Sequence, residues 1–159
     1  MAATSTSWKR LPPPAERADL GFTALFADAD AEQMMRGLVP EQMEDKWFIY
    51  FDGGWLFFHR SWTGALIYAL RLHGSPAGVQ VVESWVNRNP QQYSGTDTEY
   101  DRKLVHFIID AFLLRKPGVR FPIPAAHRDA PEGFVQHNYV GRAYPESKGG
   151  GSSGERSGR

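Results

Sequence analysis

Lys46-Trp47-Phe48-Ile49-Tyr50-Phe51, then Asp52-Gly53-Gly54, then Trp55-Leu56-Phe57-Phe58-His59-Arg60-Ser61-Trp62 holds the strongest strand signal in the chain. Two runs rich in aromatic residues flank a turn whose glycines accept positive φ, so a β-hairpin is expected here. Side chains on a strand alternate between faces. In the second run Trp55, Phe57, His59 and Ser61 share one face, and Leu56, Phe58, Arg60 and Trp62 the other. In the first, Trp47, Ile49 and Phe51 oppose Phe48 and Tyr50. Nine of the 21 aromatic residues fall between Trp47 and Tyr68, so both faces are apolar at the hairpin's base. One face must pack under a helix. The other is either covered by the N-terminal segment and a C-terminal wrap or exposed as an aromatic platform.

After the hairpin, Thr63-Gly64 turns the chain into Ala65 to Leu72, and His73-Gly74-Ser75-Pro76 turns it again before Gly78 to Val86. Short links of this kind join antiparallel neighbours. Further on, Thr96-Asp97-Thr98-Glu99 offers a capping box, and Tyr100, Leu104, Phe107, Ile108, Ala111 and Phe112 recur at helical spacing until Pro117-Gly118. That pattern predicts a helix over Asp97 to Arg115. Upstream, Asp28 or Asp30 can cap a short N-terminal helix over Asp30 to Arg36, closed by Gly37. The expected class is α+β: a four-stranded antiparallel meander with one main helix on one face, plus that short helix.

Of 35 Leu, Ile, Val and Phe residues, all but one lie within 19–143, which marks the foldable unit. Residues 1–18 carry Pro12-Pro13-Pro14 and read as a flexible arm, and the Gly/Ser-rich residues 144–159 read as a disordered tail. Phe121 to Tyr139, broken by prolines, is expected to wrap the outside as irregular chain. Eighteen basic residues balance eighteen acidic ones, so there is no general field for nucleic acid, which is disfavoured as a partner. No run of apolar residues is long enough to span a bilayer and the first twenty residues hold no apolar core of a signal, so no membrane partner and a cytoplasmic location are expected. Without cysteine there is no thiolate chemistry, the five histidines show no metal-type spacing, and no phosphate-cradling glycine loop occurs. No metal and no cofactor is therefore expected.

The chemistry-bearing strip is His59-Arg60-Ser61-Trp62-Thr63-Gly64. A guanidinium can grip a phosphate or carboxylate through two parallel N–H bonds, hydroxyls and turn N–H groups can complete the oxygen contacts, and an indole can stack a ring. Arg60, Ser61, Trp62 and Thr63 are the candidate ligand residues, with Trp47 beside them. Glu83, Trp85 and Asn87, after the fourth strand, are candidates for a second wall. His59 is the candidate acid or base. Plain packing accounts for the same residues: His59 bonded to a backbone carbonyl, Arg60 paired with Glu83 or Glu44, and tryptophans filling the core.

Met43-Glu44-Asp45-Lys46-Trp47-Phe48-Ile49-Tyr50-Phe51, followed by Leu56-x-Phe58-His59-Arg60-Ser61-Trp62-Thr63-Gly64 and Ile67-Tyr68, resembles the hallmark of a family of small bacterial proteins with no assigned activity. The resemblance covers residues 38–68 and implies a shared fold and a shared candidate site. Loosely similar segments accompany ADP-ribose-handling domains. Two functional expectations stand side by side. One is a binding or interaction domain that recognises an anionic small molecule or a protein partner. The other is an enzyme acting on a phosphate-containing or nucleotide-derived substrate with His59 as acid or base.

Overall fold

Glycines at Gly53 and Gly54 adopt φ of 60° and 89°, and this left-handed turn folds β3 (Trp47–Asp52) back onto β4 (Trp55–Arg60). A computed structural model describes residues 2–42 and 44–123 and shows the hairpin inside a larger sheet. β5 (Leu66–Ser75) and β6 (Gly78–Asn87) continue the meander. Two further strands precede it, β1 (Arg17–Asp19) and β2 (Leu25–Phe26), and both pair with β6. The order is β1-β6-β5-β4-β3, with β2 also on β6, and every pairing is antiparallel. Among the described residues the expected four strands are therefore six. The correction lies in the chain before Asp28, where three-residue and two-residue strands form only because β6 offers them a ladder.

Helix α1 (Asp28–Met35) lies between β2 and β3, with two strands ahead of it in the chain. Its N-cap is Ala27, so neither Asp28 nor Asp30 caps it; both stand in its first turn, where carboxylates favour the positive end of the helix dipole. Helix α2 (Thr98–Ile108) is capped by Asp97, whose side chain accepts from the Tyr100 N–H at 3.2 Å. It continues as one wider, π-helical turn over Ile109–Leu113 rather than as α-helix to Arg115. Leu104, Val105, Phe107 and Ile108 of α2 pack with Ile49, Phe58, Tyr68, Leu70 and Val86 of the sheet in one apolar core. The chain is an α+β fold with its main helix on one sheet face.

The second face is the one that alternation left open. The chain before β1 lies along it. Ala3 packs with Phe48, Tyr50 and Phe57, and the Ala3 N–H donates to Arg36 O at 2.8 Å. The Trp8 indole donates to Ser61 O at 2.9 Å, Leu11 N–H to Gly64 O at 2.8 Å, and Arg88 N–H to Glu16 O at 2.8 Å. Residues 2–16, read from sequence as an arm, thus run as a strap across the end of the sheet before joining it as β1. Most of the expected Phe121 to Tyr139 wrap and all of the 144–159 tail lie outside the described residues.

Candidate functional site

Register places the hairpin's chemistry on two faces. Trp47 pairs with Arg60 and Phe48 with His59, so Arg60 lies on the helix side with Trp47, and His59 lies beneath the strap with Phe48. The His59 Nδ1 is 2.8 Å from Gly64 O, which fixes the neutral ring with its proton on that nitrogen. Its Nε2 is buried without a hydrogen-bond partner among the described residues, and the ring sits 5.7 Å from both Phe48 and Tyr50. Burial is the main cause that lowers the His59 pKa from 6.5; its carbonyl bond raises it and the Arg10 charge lowers it further.

Ser61 Oγ donates to Asp45 O at 2.6 Å and ties the end of β4 to the chain before β3, and Thr63 Oγ1 accepts from Ala65 N–H at 3.1 Å and closes the local turn. Asn87 Nδ2 donates to Leu66 O and Gln92 Oε1, each at 2.8 Å, holding the loop after β6. Trp85 is half-buried on the strap side of the sheet, 4.5 Å beneath the Arg17 guanidinium. Glu83 meets Arg71 at 3.5 Å on the exposed surface and not Arg60. The second wall proposed from sequence therefore does not form: Glu83 and Trp85 stand on β6, separated from β4 by β5. Nor do His59, Arg60 and Ser61 converge on one point.

What does gather lies at the hairpin's open end. The Arg60 guanidinium stands 4.8 Å from the Trp47 ring centre, and the Lys46 ammonium stands 4.5 Å from that of Trp62. Burial, and then the nearby Arg60 charge, push the Lys46 pKa below its ordinary value. The Trp47 Nε1 is buried with no hydrogen-bond partner among the described residues, and the ring stacks on Tyr68 at 5.9 Å and 23°. Lys46 was absent from the sequence-derived set. Its place next to Trp47 was the available signal, because a residue flanking a strand that ends in a cross-strand pair stands beside that pair.

A second cluster was missed altogether. Asp101, on the buried side of α2, accepts from the hydroxyls of Tyr68, at 2.8 Å, and Tyr93 on Oδ1, and from Arg88 Nη2 at 2.7 Å on Oδ2. Burial foremost, reinforced by the Asp101 charge, raises both phenol pKa values above 10.0, so both hydroxyls remain donors. This is a latch tying β5, the loop after β6 and α2, not an acid–base pair. Its signal was an aspartate three and four residues before Leu104 and Val105, a charged position inside an apolar stripe.

Comparison with known proteins finds no match for this chain: no family model fits it, and no curated protein or solved structure is significantly similar to it.

Proposed function

We propose that the chain is a binding domain whose anion site is the Lys46, Arg60, Trp47 and Trp62 end of the hairpin. The carrying observation is the pairing of two neighbouring cations, each laid over an indole. Bringing two positive groups together while removing water from one of them is unfavourable, and the lowered Lys46 pKa records that cost. An oxyanion beside the two groups accepts N–H bonds from both. The Trp47 Nε1, without an acceptor among the described residues, adds a buried donor on the ring that the Arg60 guanidinium covers. These groups fit a carboxylate or phosphate of a small molecule or a protein partner.

Thermal unfolding of the full chain with inorganic phosphate, acetate or ADP-ribose tests this reading. A ligand that binds only the folded state raises the midpoint by mass action. The expected rise is lost in Arg60→Ala and Lys46→Met. A rise that survives both substitutions, or no rise with any oxyanion, contradicts the site.

A further inference from the structure

The anion site shares its end of the sheet with an apolar surface. Trp8 is 38% exposed, Leu11 39% and Trp62 56%, three of the seven large hydrophobic side chains exposed in the described part of the chain. All three belong to the β4–β5 turn and the strap bonded to it, since Trp8 donates to Ser61 O and Leu11 to Gly64 O. Gly64 shows how close this docking is: at φ of 82°, a Cβ there would stand 3.2 Å from Arg10 Cα.

The strap is basic. The whole chain is neutral, yet Ala2 to Ala15 contains Lys9 and Arg10, both exposed, and no aspartate or glutamate, while Glu44 and Asp45 stand before Lys46. Lys46 joins these cations over Trp62. The patch therefore combines exposed indoles, an aliphatic side chain and ammonium or guanidinium groups.

We infer that this end of the sheet is a docking surface for an anionic lipid bilayer, with lipid headgroup oxygens as the anion of the proposed site and Trp8, Leu11 and Trp62 entering the headgroup boundary. The inference rests on the anion-site reading for Lys46 and Arg60 and goes beyond it in the apolar contact. Amphipathic aromatic rings beside cations are the side chains that suit a bilayer interface. An extended peptide would need open backbone groups, and the turn has used its own: Ser61 N–H donates to Lys46 O, Arg60 N–H to Ala65 O and Gly64 N–H to Arg60 O. The Ser61 and Gly64 carbonyls are taken by the strap, and that of Gly64 by His59 as well. A single-stranded nucleic acid would reward stacking faces, which Leu11 does not have. No helix among the described residues is long and apolar enough to cross a membrane, so the contact is peripheral.

Co-sedimentation of the full chain with vesicles is the test, using phosphatidylcholine alone and phosphatidylcholine with about 30% phosphatidylserine. Binding is expected to the anionic vesicles only, with a blue shift of tryptophan emission and weakening as salt rises. Lys9→Glu and Leu11→Ser change exposed side chains and keep the strap's backbone bonds; together they should weaken vesicle binding about tenfold while leaving the unfolding midpoint in place. Binding to inorganic phosphate in solution with no vesicle binding overturns the lipid assignment and leaves the anion site standing. Failure to bind either overturns both. Tighter binding to polyglutamate or a single-stranded oligonucleotide than to anionic vesicles also overturns the inference and assigns the patch to that polymer.

Discussion

Arg60 and Trp47 face each other across the β3–β4 ladder, and the guanidinium lies 4.8 Å from the indole ring centre. The contact makes Arg60 both a wall of the core and a charge at its edge. Arg60→Lys keeps the charge but loses the flat surface that covers the ring and the two-pronged geometry. It should lower oxyanion affinity about tenfold while destabilising the fold by about 1 kcal/mol or less. Ligand titration beside urea unfolding of the same variant checks this; a variant that unfolds easily yet binds normally marks Arg60 as structural.

The Asp101 latch carries a larger share of stability. Asp101→Ala removes the acceptor for Tyr68, Tyr93 and Arg88 together and should cost about 3–5 kcal/mol. Tyr68→Phe removes one donor of the three and should cost about 1 kcal/mol. Equal losses from the two substitutions in chemical denaturation would show that the carboxylate is not the hub.

The hairpin and the meander were legible because their signals are local. Asp52-Gly53-Gly54 has the turn chemistry, and the runs on either side have the β composition, so β3, β4, β5 and β6 arise from the runs that the spacing marks, although His73-Gly74-Ser75, expected as turn, extends β5 and leaves the turn to Pro76-Ala77. β1 and β2 were illegible because Arg17-Ala18-Asp19 and Leu25-Phe26 have no periodicity of their own and are ordered by pairing with residues some sixty positions away. The site was half legible. Alternation already divides His59 from Arg60, so a single His-Arg-Ser centre conflicted with the strand period that defined the hairpin. The strap could not be read, since apart from the small Ala3 side chain its contacts use backbone groups and one indole N–H, which leave no pattern in composition.

His59 makes the fold sensitive to acid. Its folded pKa lies below the unfolded value of 6.5, so the unfolded chain takes up a proton first as pH falls. The stability it contributes is complete above pH 6.5 and is lost as pH falls through the lowered folded value. His59→Phe should flatten this part of the stability profile. Denaturation measured across pH 5 to 8 decides it, and an unchanged slope in the variant would assign the acid sensitivity to another group.

Gly64 permits the strap to lie against the turn. Gly64→Ala adds a methyl group at a left-handed φ of 82° and within 3.2 Å of Arg10 Cα, so it should cost about 1–2 kcal/mol and loosen residues 2–11. Faster proteolysis within residues 2–11, with the sheet intact, is the expected readout. Unchanged cleavage would mean that the strap accommodates the methyl group.

The most direct measurement follows the indole N–H signals of the five tryptophans by nuclear magnetic resonance while inorganic phosphate is added to the full chain. The Trp47 Nε1 has no acceptor among the described residues and lies beside the Arg60 guanidinium, whereas Trp85 stands on the opposite face under Arg17. An anion at the proposed site should move the Trp47 and Trp62 signals in a saturable way and leave that of Trp85 in place. Saturable shifts confined to Trp85, or none at Trp47 and Trp62, would contradict the anion site.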